Sequence, residues 1–267
     1  MNWRVALRLG RISNLPTVWT NVLTGVVLCG GVDAPTPVLS VALISLSLFY
    51  VAGMYLNDAF DRDIDAHERP ERPIPSGLVA AQTVFAIGFG MLTAALVLLM
   101  WAGYGLEGGT GWRAPTAGLA LAAAIVFYDW HHKDNPLSPV IMGLCRMLVY
   151  VTAGLAVTTT LPLPLIVAAG IVLCYLIGLT YIAKQENLAR VRGLWPLIFL
   201  LVPFAYTLPA AVVSLTGIVL YVCFVTWVVF ALSFLVRPGG VDIPRAVVSL
   251  LAGICLLDAL LIAGHGE

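Results

Sequence analysis

Apolar residues run along this chain in long unbroken blocks, with polar residues gathered in the stretches between them. Blocks such as Leu96-Val97-Leu98-Leu99-Met100, or residues 167–173, lack the every-second-residue polarity of a membrane β-strand. A helix crossing a bilayer takes roughly 20 residues. On that scale the blocks predict nine helices, at 14–31, 38–58, 78–104, 114–130, 138–159, 163–182, 194–213, 216–236 and 243–263. Prolines and glycines mark the joints: Pro35 and Pro37, Pro73 and Pro75, Pro136 and Pro139, Pro162 and Pro164, then Pro238-Gly239-Gly240. No shift in composition divides the chain, so residues 1–267 read as a single domain.

Composition sharpens this to an all-α polytopic transmembrane bundle in contact with membrane lipid. Of 267 residues, 60% are hydrophobic and 10% charged, against roughly a quarter charged in a soluble domain. Mean hydropathy is +0.97. With 14 basic and 14 acidic residues there is no net charge, so the electrostatic footprint of a nucleic-acid binder is missing. Five cysteines lie in apolar blocks without CxxC spacing and read as small buried hydrophobes rather than a disulfide framework.

The basic residues orient the spans. With the N-terminus in the cytoplasm, 12 of the 14 fall on that side, Arg113 falls outside and Arg146 lies within a span. This positive-inside bias predicts an external C-terminus. It also puts both long polar connections, 59–77 and 183–193, on the cytoplasmic face, where any chemistry belongs.

The sharpest local feature follows the second block: Asn57-Asp58-Ala59-Phe60-Asp61-Arg62-Asp63-Ile64-Asp65. Asn57, Asp61 and Asp65 are spaced i, i+4, i+8, and Asp58 stands three before Asp61, so all four share one helical face. Stacked carboxylates repel, and a divalent cation removes that penalty. Carboxylates with an amide oxygen suit the hard ion Mg²⁺, and Arg62, Arg69 and Arg72 nearby suit a metal carried on phosphates.

Asn57-Asp58-x-x-Asp61-x-x-x-Asp65 followed by Arg69-Pro70-Glu71-Arg72-Pro73 closely resembles the first aspartate-rich motif of the UbiA superfamily of intramembrane prenyltransferases. Residues 11–21, ending in Asn21, are similar to that family's first helix. The resemblance implies a helical bundle around a central cavity, capped by polar loops. It implies that Asn57, Asp58, Asp61 and Asp65 hold Mg²⁺ on an isoprenyl diphosphate, with Asp58 and Asp61 catalytic. An aromatic or other nucleophilic acceptor would attack the allylic cation, which Trp19, Phe49, Tyr50, Phe127, Tyr150 and Tyr175 are candidates to stabilise. It implies further substrate contacts at Asn21, Arg62, Arg69 and Arg72, and at Tyr128 and Lys133 on the fourth helix end. Arg146, a cation inside a span, is a functional candidate by its placement; pairing with a buried carbonyl or carboxylate is the other reading. His131 and His132 are adjacent and point to different faces, which argues against a transition-metal site.

The second polar loop departs from the family: no aspartate occurs there, and Glu186 stands among Lys184, Arg190 and Arg192. Tyr181, Glu186, Asn187 and Arg190 are candidate substrate contacts. Lys184 is a catalytic candidate that, with Arg190, replaces part of a second metal's charge; both bases also serve the positive-inside bias. Met142-Gly143-Leu144-Cys145-Arg146 together with Tyr181, Lys184, Glu186 and Asn187 resembles the EboC-like branch. Asp258, deep in the last block, reads as a helix-packing or external-interface residue. The competing function is a transporter or isoprenoid-binding membrane component, which would spread polar residues along both halves of a path instead of gathering them at one face.

Overall fold

The computed structural model describes residues 1–133, 135–185, 195–236 and 241–265. They form eleven α-helices: α1 (Trp3–Leu9), α2 (Leu15–Val27), α3 (Thr36–Phe60), α4 (Arg62–Glu68), α5 (Ala81–Gly105), α6 (Arg113–His131), α7 (Ser138–Val157), α8 (Leu163–Ala183), α9 (Leu201–Ala211), α10 (Leu215–Ser233) and α11 (Ile243–Ala263). Pro16, Pro37, Pro139, Pro164 and Pro244 stand in the first turns of α2, α3, α7, α8 and α11. The missing N–H costs nothing there, because those donors have no intrahelical partner.

Each expected span overlaps a helix among the described residues. Six of them (α3, α5, α7, α8, α10 and α11) are long and apolar enough to cross a membrane unaided. The other three differ from expectation in physical ways. α2 has 13 residues, about 20 Å at 1.5 Å per residue, and its buried face mixes Thr17, Asn21 and Thr24 with Val18, Val22 and Val26. α6 carries Arg113 at its start and Asp129 near its end. α9 is preceded by a 3₁₀ stretch, Trp195–Leu200, where a continuous helix was expected.

Among the described residues, α2, α3, α5, α6, α7, α8, α9, α10 and α11 each pack on the next, and α11 returns to α2, closing a circuit. α2 also packs on α7. Beside a small cluster around Leu9, Tyr55 and Val84, the apolar interior forms two large cores. One holds Leu46, Phe49, Leu92, Leu99, Leu121 and Val149; the other holds Tyr150, Tyr175, Leu176, Phe224, Leu250 and Leu257. Neighbouring α7 residues, Val149 and Tyr150, serve the two cores separately. Glycine makes the α2–α7 approach possible. A Cβ on Gly25 would stand 2.7 Å from the Tyr150 carbonyl oxygen, a backbone atom that cannot move aside. Outward-facing Val97, Leu215 and Val229 remain exposed, as suits helices that face lipid. The alternation of helix direction brings the C-terminal ends of α3, α6 and α8 and the N-terminal ends of α2, α7 and α11 to one end of the bundle.

Candidate active site at the polar end of the bundle

Asp61 closes α3 and opens α4. The Asp61 N–H donates to the Asn57 carbonyl at 2.9 Å, and the Asp65 N–H donates to the Asp61 carbonyl at 2.8 Å. Helical spacing therefore survives the junction and keeps Asn57, Asp61 and Asp65 on one stripe. All four predicted metal-ligand residues are buried, Asp65 to 1% exposure.

Burying carboxylates side by side requires counter-charge, and the protein supplies much of it. Arg72 Nη1 donates to Asp65 Oδ2 at 2.6 Å and to Asp58 Oδ1 at 3.3 Å. Arg11 Nη2 donates to Asp58 Oδ1 at 3.0 Å and to Asn57 Oδ1 at 3.4 Å. This corrects the expectation that a divalent cation alone relieves the stripe. Asp61 faces the end of α6, with Lys133 Nζ at 3.5 Å and His132 Nε2 at 3.6 Å from Oδ2. Burial, foremost, holds the Asp61 carboxyl above its ordinary range; His132 and Lys133 oppose this, and Asp65 adds to it. Burial likewise pushes the His132 imidazole below its ordinary value, outweighing the pull of Asp61.

A fourth carboxylate joins from α6: Asn57 Nδ2 donates to Asp129 Oδ1 at 3.3 Å. Asp65 Oδ1 and Asp129 Oδ2 are buried without a hydrogen-bond partner. Among the described residues, no three His, Cys, Asp or Glu side chains converge so as to hold a metal ion by themselves. The donor set of hard oxygens, one of them orphaned on the stripe itself, fits Mg²⁺ that brings phosphate oxygens with it.

Two spaces with shared walls lie beside the stripe; Asn57 and Asp61 line the outer one, and no stripe residue lines the inner one. The outer, polar pocket is about 540 Å³ and is lined by Asn57, Asp61, Arg69, Arg72, His132, Lys133 and Lys184. The inner cavity, about 270 Å³, is mainly apolar, with Phe49, Tyr50, Leu121, Ile125, Val149, Leu176 and Leu251 in its wall. Arg11, Met54, Tyr128, Met142, Thr180 and Ala183 belong to both walls, so a charged head and an apolar tail can be held at once. Lys184 Nζ is steadied by the Asn135 carbonyl at 2.7 Å and Ser138 Oγ at 2.9 Å.

Not every expected residue comes here. Arg62 turns away, pairing with exposed Asp63 at 3.4 Å and lying over the Phe85 ring. Asn21 lines neither space; it is buried, accepting from Arg146 Nη1 at 2.8 Å and donating to Asp258 Oδ2 at 2.8 Å. Arg146 also donates to Thr17 Oγ1 at 3.0 Å, and the Tyr150 hydroxyl donates to Asp258 Oδ1. Arg146 itself lines the apolar cavity. Asp258 is therefore internal, tying α11 to α2 and α7, and is no external-interface residue. Tyr181 is half-buried at the end of α8, outside both walls. Glu186, Asn187 and Arg190 lie outside the described residues. Of the aromatic candidates, Phe49 and Tyr50 line the cavity, whereas Trp19 and Phe127 face outward. Tyr150 and Tyr175 are buried with their hydroxyls bonded. Sequence reasoning missed Arg11, Asp129 and His132 as site residues. Arg11 reaches the stripe across 46 residues through a left-handed turn, φ 43°, which no helical periodicity announces.

Fold and site together define a membrane-embedded helical bundle with an acid-and-base head pocket opening on an apolar cavity. The UbiA prenyltransferase family matches residues 18–262, and the chain belongs to it. It is 31% identical over 98 residues to a digeranylgeranylglyceryl phosphate synthase of Metallosphaera sedula, a stretch covering 37% of this chain and 34% of that protein. The alignment thus spans about a third of that relative's length. A UbiA homolog from Archaeoglobus fulgidus bound to GPP and Mg²⁺ shares the fold, with TM-score 0.66, 14% identity and 98% of both chains covered. A digeranylgeranylglyceryl phosphate synthase structure superposes with TM-score 0.67, 16% identity and 98% coverage of both chains.

Proposed function

We propose that the chain is a Mg²⁺-dependent intramembrane prenyltransferase, acting as one domain over residues 1–267. It moves an isoprenyl group from its diphosphate to an aromatic or other nucleophilic acceptor. The observation that carries this is the joining of the polar pocket to the apolar cavity through shared walls, which matches a diphosphate head on an isoprenyl tail. Family membership and the GPP- and Mg²⁺-bound neighbour support it.

In this reading Asn57, Asp58, Asp61 and Asp65 hold the metal, which when bound supplies a Lewis acid for the diphosphate oxygens. Arg69, Arg72, Lys133 and Lys184 bind those oxygens and take up the charge that develops as the C1–O bond breaks and its electron pair leaves with diphosphate. Phe49, Tyr50 and Tyr128 offer π-faces to the allylic cation, and the apolar wall excludes water from it. The acceptor's nucleophilic atom then bonds to C1 and gives up its proton, which the released diphosphate can take. Met142 to Arg146 with Tyr181 and Lys184 favour the EboC-like branch. Equilibrium binding of isoprenyl diphosphates of graded length tests the reading: Mg²⁺-dependent binding that strengthens with tail length is expected. Binding of inorganic pyrophosphate as tight as that of every isoprenyl diphosphate would refute the use of the apolar cavity.

Asp61 can bind metal only as a carboxylate. Metal affinity should therefore fall on acidification through its raised pKa, at higher pH than for an ordinary aspartate. Lys133→Met removes a charge that opposes the rise, so the acid limb should move to higher pH. Mn²⁺ binding measured against pH checks this; an unmoved limb would show that Asp61 is not the titrating ligand.

The polar end is taken to face the cytoplasm, with the C-terminus outside. A membrane-impermeant maleimide applied from outside should label Glu107→Cys and not Ser76→Cys. The reverse pattern would invert the topology.

A further inference from the structure

We propose that Arg11 and Arg72 are exchangeable counter-charges, paired with the acid stripe in the protein by itself and turning to diphosphate oxygens when metal and diphosphate enter together. This deepens the donor-site reading above and rests on it. Beyond the diphosphate contact already given to Arg72, both arginines in this role decide in which company a metal can bind.

The geometry is specific. A single nitrogen, Arg72 Nη1, lies within hydrogen-bond reach of Asp58 Oδ1 and Asp65 Oδ2. A single nitrogen, Arg11 Nη2, likewise serves Asp58 Oδ1 and Asn57 Oδ1. Three of the four stripe residues are thus bridged pairwise by guanidinium groups, and the acids do not converge as a cage of their own. Both arginines also line the polar pocket, so a diphosphate seated there is within reach of a side-chain swing.

The backbones that carry them are pinned. The Ser76 N–H and Oγ both donate to the Arg72 carbonyl, at 3.0 and 2.7 Å. The Tyr50 hydroxyl donates to the Arg11 carbonyl at 3.3 Å, at a residue held in the left-handed region. Exchange is therefore a change of rotamer on a fixed frame.

Charge makes the exchange conditional. A metal arriving alone would push Arg72 into a pocket that already holds Arg69, Lys133 and Lys184. A diphosphate arriving alone would meet Asp58, Asp61 and Asp65. Arriving together, the metal takes the carboxylates and the arginines take phosphate oxygens, a pairing that suits the guanidinium fork. Metal and diphosphate must then strengthen each other's binding by the same factor, because the coupling is reciprocal.

The test uses full-length protein in detergent, Mn²⁺ followed by electron paramagnetic resonance, and inorganic pyrophosphate as the head-group probe. In the unmodified protein, pyrophosphate should tighten Mn²⁺ binding about tenfold or more. Arg72→Gln should bind Mn²⁺ alone about tenfold more tightly than the unmodified protein and lose most of the pyrophosphate enhancement. Arg72→Lys, which keeps the charge, should return toward the unmodified pattern. Arg11→Gln should change in the same direction by less, since Arg11 is half-exposed and its contacts are longer; it stands in for Arg72→Gln should that variant fail to fold. Asp61→Ala separates the two layers: Mn²⁺ and pyrophosphate binding unaffected by that change would sink the donor-site reading itself. With Asp61 shown to matter, folded Arg72→Gln or Arg11→Gln protein binding Mn²⁺ alone no more tightly than the unmodified protein would overturn the exchange.

Discussion

Asp61→Ala should lower turnover about a hundred- to a thousandfold, the loss seen when one electrostatic stabiliser of a developing charge is removed, and should leave the fold intact. Asp61 is the cleanest member of the stripe to remove. Its basic neighbours, Lys133 at 3.5 Å and His132 at 3.6 Å, stand farther from it than Arg11 and Arg72 stand from Asp58 and Asp65. Asp58→Ala should be as damaging to turnover but should also cost stability, because Asp58 Oδ1 is shared by Arg11 and Arg72. Steady-state kinetics with thermal unfolding in detergent separates the two effects. Near-normal kcat in both variants at saturating donor would remove the stripe from the mechanism.

Arg146→Met should destabilise the bundle by about 1–3 kcal/mol, the cost of leaving buried polar groups without partners. Arg146 holds Asn21 and Thr17, and Asn21 in turn holds Asp258. Removing the cation strands the Asn21 carbonyl and leaves a buried carboxylate in the interior without a nearby positive charge. A second change, Asp258→Asn, removes that charge. The double variant should therefore be less destabilised than the sum of the single ones, because the two sites belong to one network. Unfolding midpoints of the single and double variants check this; strict additivity would show that Arg146 and Asp258 act independently.

Much of this architecture is legible in the chain itself because lipid imposes so simple a rule. The span expected at 38–58 is α3, Thr36–Phe60, and that expected at 243–263 is α11 without adjustment. The acid stripe was legible for a different reason: helical spacing puts Asn57, Asp61 and Asp65 together whatever the rest of the fold does. What escaped were partnerships made across the circuit. Arg72 sits seven residues from Asp65 and could be guessed from proximity. Arg11, Asp129 and Asp258 reach their partners over 46, 72 and 237 residues, and one-dimensional periodicity carries no information about which helix faces which. Arg62 misled for the opposite reason. Adjacent to the stripe in sequence, it lies about a hundred degrees round the helix from Asp61 and packs over Phe85 instead.

Diphosphate release shows whether the joined pockets ionise an isoprenyl diphosphate. Purified full-length protein is incubated with a radiolabelled isoprenyl diphosphate in Mg²⁺ or in EDTA, beside Asp61→Ala, with lipid-soluble products identified by mass spectrometry. The account predicts release that requires Mg²⁺, is lost in Asp61→Ala and is matched by a prenylated product when an acceptor is present. Release that is equal in EDTA and in Asp61→Ala, or no release from any chain length offered with acceptor-containing membranes, would contradict it.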